Sequence, residues 1–145
     1  DVVHSAGKGN ISPQRIGTIY YNRGLIAGII TAEAVRTAQA KYGKKPLTGE
    51  QIRWGIENLN ITAQRIKELG AEGLMSPIKV SCFDHEGGGA VMFQEWDGDK
   101  WKRVTDWIST DQAIVRPMIE VSAADYAKEK GLPLRKGVSL DSQCP

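Results

Sequence analysis

The sequence predicts an α/β chain that forms one portion of a larger fold, on three observations. Apolar residues recur at helical spacing through residues 13–41, alternation of period two begins after Ser76-Pro77, and an Asp-Gly dipeptide separates two further strand-like runs. The order of these elements, helices first and strands later, departs from the regular strand and helix alternation of a self-contained α/β domain. With 145 residues, 41% of them hydrophobic and 25% charged, the chain has material for a core and is not of the disordered class.

The elements follow in order. Residues 1–6 read as the last turn of an element that begins upstream, stopped by the loop Gly7-Lys8-Gly9-Asn10. Ile16, Tyr20, Leu25, Ile29, Ala32, Val35 and Ala38 recur at steps of three to five, which predicts a long helix ended by Gly43 and Pro46. Gly24 and Gly28 lie within it, and their missing side chains invite the close approach of a neighbouring element or ligand. Thr48-Gly49-Glu50-Gln51 has capping-box spacing and predicts a second helix over residues 49–58. Asn60 and Thr62 are both good caps for a third, short helix through residues 63–69 that Gly70 ends, so three helices are expected before any strand. Ile78, Val80 and Cys82 alternate with Lys79, Ser81 and Phe83 as a part-buried strand would, until Asp84-His85-Glu86-Gly87-Gly88-Gly89 breaks the pattern. Residues 90–96 and 102–108 are two more strands around the turn Asp97-Gly98-Asp99-Lys100. A last helix runs from Pro117, suited to a first turn, to residue 130, with Gly131-Leu132-Pro133 after it and an extended tail over residues 134–145.

Composition excludes several classes of function. Nineteen Lys and Arg against seventeen Asp and Glu leave a net charge of +2, with no clustered basic stripe for nucleic acid. Trp96, Trp101 and Trp107 lie on or beside one hairpin, where aromatic residues pack across strands, rather than on a base-stacking surface. The longest uncharged apolar run, residues 24–32, is far shorter than the roughly 20 residues of a membrane-spanning helix. Cys82, Cys144, His4 and His85 have none of the paired spacings of a zinc site, so no metal is expected. A Cys82 nucleophile with His85 as its base would need an orienting third group and an oxyanion hole, neither of which the sequence supplies. Gly7-Lys8-Gly9 and Gly87-Gly88-Gly89 lack the strand, loop and helix context of a phosphate loop and read as turns. No pair of carboxylates stands out as an acid and base, and no enzyme or cofactor is expected. The two cysteines leave one long-range bridge or two free thiols.

Five segments taken in order carry a resemblance. Tyr20-Tyr21-Asn22-Arg23-Gly24, Glu33-Ala34-Val35-Arg36-Thr37-Ala38-Gln39, Thr48-Gly49-Glu50-Gln51-Ile52-Arg53-Trp54, Ser81-Cys82-Phe83-Asp84-His85-Glu86-Gly87 and Gln94-Glu95-Trp96-Asp97-Gly98 resemble the C-terminal part of periplasmic solute-binding proteins of the branched-chain amino acid ABC transporter class. The resemblance implies a two-lobed fold of parallel-sheet sandwiches joined by crossover strands, the type I periplasmic binding protein fold, with solute held in the cleft. Residues 1–88 would be the C-terminal part of lobe 1, residues 89–109 the hairpin completing lobe 2, and residues 110–145 the terminal helix and tail. Gly87, Gly88 and Gly89 would form the hinge.

By the same resemblance, Tyr20 would face the cleft with Tyr21 and Asn22 beside it, although a Tyr in such a place also serves simply as packing between helix and sheet. The solute would be an amino acid or a related carboxylated metabolite, aromatic ones included. The partner would be the membrane permease of an ABC transporter, and the location the periplasm, where Cys82 and Cys144 would pair across the tail. The alternative is a ligand-sensing domain of the same fold. A lobe without its upstream strands is also expected to expose apolar helix faces that favour association.

Overall fold

The computed structural model describes residues 5–134, as the element order Pro13–Arg15 (a 3₁₀ turn), α1 Ile19–Tyr42, α2 Gly49–Glu57, β1 Asn60–Ile61, α3 Ala63–Glu68, β2 Ile78–Lys79, β3 Ala90–Val91, β4 Gln94–Trp96, β5 Trp101–Arg103, β6 Ile108–Ser109 and α4 Gln112–Lys130. The long helix begins later than its apolar spacing predicts. Pro13 opens a 3₁₀ turn, Gly17 takes φ 82°, and only then does Thr18 lead into α1, its hydroxyl turned back to Arg15 O at 2.8 Å. Gly43 ends α1 at φ 89°, a conformation without the Cβ penalty only for glycine, and its N–H donates to Gln39 O.

The capping box at α2 forms as expected. Gln51 N–H donates to Thr48 Oγ1 at 3.3 Å, and Thr48 N–H donates to Gln51 Oε1 at 3.0 Å. α2 crosses α1 at Gly55, where a Cβ would fall on Ala34 O and lie 2.9 Å from Ala38 Cβ, so the two backbones touch. The core gathers around this crossing from Ala34, Leu59, Ile61, Ile66, Ala71 and Met75, with Ile26, Ile29 and Ile30 against it.

The expected parallel-sheet sandwiches are not there: the described strands form three two-stranded sheets, and each of the three pairs is antiparallel. The physical reason is local. A parallel return needs a crossover long enough to carry the chain back along the strand. The six-residue α3 instead gives way to two reversals at Gly70 and Gly73, with φ 67° and 77°, and β2 comes back antiparallel to β1. Asn60 sits in β1 opposite Lys79 rather than capping a helix, so a strand precedes the third helix, which Thr62 alone caps by accepting from Arg65 N–H. β2 is also shorter than its alternation predicts. Val80 N–H still reaches Leu59 O, but Ser81 Oγ then accepts from Asp84 N–H at 3.1 Å and turns the chain out of the sheet.

The hairpin forms at the expected turn, in two tiers, β4 with β5 inside and β3 with β6 outside. Asp97 Oδ1 accepts from the N–H groups of Asp99 and Lys100, while Gly98 takes φ 102°. Trp96 and Trp101 face each other across it at 5.5 Å. α4 starts five residues before Pro117 because Asp111 caps it, accepting from Ala113 N–H at 3.0 Å. Pro117 therefore lies inside the helix and leaves the position of one intrahelical hydrogen bond empty. Gly131, at φ 64°, ends α4, and Leu132 N–H returns to Ala127 O. Among the described residues, no helix is long and apolar enough to cross a membrane.

Candidate functional site

The segment 81–89 collects most of the polar chemistry that the sequence singled out. It is built by two local turns: Asp84 N–H on Ser81 Oγ, then Glu86 N–H on Asp84 Oδ1 at 2.9 Å. These bury the Asp84 carboxylate, whose Oδ2 lies 3.0 Å from Arg116 Nη2 of α4. The pair is an ionic contact out of line for a hydrogen bond, and Arg116 Nε is buried without a hydrogen-bond partner. The Arg116 guanidinium also covers the Phe83 ring at 4.9 Å. Arg116 thus anchors α4 to the loop through a charge pair and a ring.

On the other side of this segment lies a cavity of about 530 Å³ with an apolar floor of Ile30, Ile52, Ile56, Leu59, Ile78 and Val80. Arg53, Glu57, His85 and Glu86 stand at its edge, with His85 Nε2 at 3.8 Å from Glu57 Oε1. Such a floor can take an apolar group while the rim meets polar ones. A second cavity of about 440 Å³ separates Cys82 and Phe83 from Ile119, Glu120, Ala123 and Ala124 of α4. The sequence offers His85 as a zinc ligand or a base, both set aside, and gives no sign of Arg116. The Asp84 contact spans 32 positions and leaves no local mark.

The residues predicted to line a cleft do not converge with these groups. Tyr20 is 83% exposed at the first turn of α1, so it neither packs between helix and sheet nor faces either cavity. Tyr21 and Asn22 follow it half-buried, Asn22 Nδ2 donating to Gly17 O at 3.2 Å. Gly24 and Gly28 have open space where a Cβ would stand, so within the described residues nothing makes the close approach their positions suggested.

Gly87, Gly88 and Gly89 lie between the helical part and the hairpin, all at positive φ (80°, 100° and 55°). Thr110 Oγ1 holds them by donating to Gly88 O at 2.9 Å. Cys82 is disulfide-bonded, and a sulfur in a disulfide is no thiolate, so the Cys82 and His85 hydrolase arrangement is not formed. Cys144, proposed by resemblance as its partner, lies outside the described residues with the rest of residues 135–145.

A strong charge cluster that the sequence did not reveal joins α1 to α3. Arg65 grips the buried Glu33 carboxylate with two hydrogen bonds, Nε to Oε2 at 2.9 Å and Nη2 to Oε1 at 2.8 Å, while Nη1 reaches Glu68 at 3.0 Å. The Arg65 hydrogen bond holds Glu33 below the ordinary carboxylate value, and the pairing raises Arg65 in turn. On the hairpin, Lys102 at 2.8 Å and the turn amides lower Asp97. Among the described residues, no group of three or more His, Cys, Asp or Glu is placed to hold a metal ion.

No family model matches the chain, and no curated protein matches it. It is similar to a crystal structure described as an ABC transporter permease from the Pseudomonas fluorescens group, at 47% identity and a TM-score of 0.86 over 94% of this chain. The match spans one third of that protein's length (33%). That description shares with the sequence-based expectation its reference to an ABC transporter. The finer expectation is overturned: the neighbour is described as an ABC transporter permease rather than as a periplasmic solute-binding protein. That description contradicts the solute-capture role, the sensing alternative and the periplasmic location.

Proposed function

We propose that the chain is a section of a membrane-associated ABC transporter component of the permease kind, acting through non-covalent contacts rather than catalysis. One observation carries this reading: near-complete coverage of the chain, at 47% identity, by a structure described as an ABC transporter permease. The disulfide at Cys82 supports the non-enzymatic part, because it removes the one nucleophile that the sequence offered beside a histidine. The Asp84 and Arg116 contact supports a mechanical role for segment 81–89, which ties α4 to the helical core through a buried charge pair.

The partners in this reading are the other subunits of the transporter, the ATP-hydrolysing subunit foremost. The test replaces the matching third of the Pseudomonas fluorescens group protein with this chain, in cells that lack that protein. The chimera is expected in the membrane fraction, purifying with the ATP-hydrolysing subunit. A chimera that folds, shown by a cooperative melt, yet stays out of the membrane fraction and binds no such subunit would overturn the proposal.

A further inference from the structure

Two helix faces of the described chain are dressed for contact and meet nothing. On α4, Ile114, Met118 and Val121 recur at helical spacing and are 63%, 68% and 62% exposed. On α1, the exposed Ile19 and Tyr20 precede Gly24, Ala27, Gly28 and Thr31, which share one exposed side, and a Cβ at either glycine would meet no atom within 4 Å. Glycine inside a helix costs about 0.5–1 kcal/mol relative to Ala. Two of them four residues apart on a bare helix face bring this chain no packing in return.

The structural match suggests what could cover these faces. The fold of this chain is reproduced within a protein of which it spans 33%, so the neighbour carries two further thirds of polypeptide beyond the matched part. We infer that both faces are internal surfaces of that larger fold, covered by polypeptide equivalent to the two thirds of the neighbour outside the match. The glycine side of α1 lets a backbone approach closely, and the α4 stripe buries its Ile, Met and Val against an apolar surface. The open faces are seams within one protein, which the sequence-based expectation of self-association leaves unspecified. This inference depends on the structural match and not on which transporter component the neighbour is called.

The experiment mixes the 145-residue chain with a second polypeptide made of the neighbour's unmatched two thirds. Association is followed by light scattering, and side-chain access by hydroxyl-radical footprinting at Tyr20 and Met118, with the buried Met75 as the internal reference. The expected result is a one-to-one complex in which Tyr20 and Met118 fall to the low reactivity of Met75. Gly28→Leu and Met118→Asp, both at open positions and so compatible with the chain's own fold, should each weaken association at least about tenfold, equivalent to about 1.4 kcal/mol. Three results would each overturn the inference. These are no association, association that leaves both side chains reactive, and a homodimer of this chain that protects the same side chains without the added polypeptide.

Discussion

The crossing of α1 and α2 gives the sharpest stability prediction, because one glycine decides how close the helices stand. Gly55→Ala places a methyl group onto Ala34 O and 2.9 Å from Ala38 Cβ, against backbone rather than a side chain that can swing away. Overpacking of this kind costs about 1–3 kcal/mol, and the better helix propensity of Ala returns about 0.5–1 kcal/mol. The net loss reaches about 2.5 kcal/mol, which for a chain near 150 residues lowers Tm by up to about 10 °C.

Gly28→Ala in the same protein is the control of opposite sign. It lies in open space, so only the propensity gain of about 0.5–1 kcal/mol remains and Tm should rise. Thermal unfolding followed by circular dichroism at 222 nm reads both. A Gly55→Ala protein at least as stable as the unchanged chain would refute the reasoning, since α1 and α2 could not then be packed backbone to backbone.

Three other outcomes are expected. Glu33→Gln should lower stability at neutral pH and flatten its acid dependence: Glu33 is held below its ordinary value of 4.5, so its contribution is complete above that value and fades as pH falls through the lowered one. Parallel pH titrations of stability for the two proteins check this, and identical acid limbs would contradict it. Asp84→Ala leaves the Arg116 guanidinium buried without its counter-charge and should cost about 3–5 kcal/mol in urea unfolding, whereas an effect below about 1 kcal/mol would mean that the pair is solvated. Alkylation of the native protein should leave Cys82 unmodified until reductant is added, as peptide mass mapping would show; labelling of Cys82 without reductant would contradict its disulfide.

What the sequence revealed and what it hid divide by range. The Thr48 and Gln51 box, the Gly43 and Gly131 terminators and the Asp97-Gly98 turn were all legible, because each is a bond between residues at most five apart. Even a local rule failed where a second one outranked it: Pro117 marks a first turn by preference, but Asp111 offers a side-chain oxygen one turn earlier, and α4 starts there.

The errors in the strands come from partners far along the chain. Asn60 reads as a cap by type and becomes a strand residue only through Lys79, while Ser81 leaves the sheet because its hydroxyl serves Asp84. The Glu33 and Arg65 clasp spans 32 positions, as does Asp84 with Arg116, and neither residue type nor spacing announces either one.

The functional expectation followed the same division. Segment resemblance pointed to an ABC transporter, as the neighbour's description does, but to a different component of it, because the quoted segments are mostly caps, turns and helix packing that position a framework rather than grip a solute. Tyr20, to which the resemblance assigns a place in a cleft, is exposed beside a glycine face that nothing in the described chain covers. An exposed large aromatic ring next to two helix glycines has the character of a contact surface, which is why the proposed seam is placed on this side of α1.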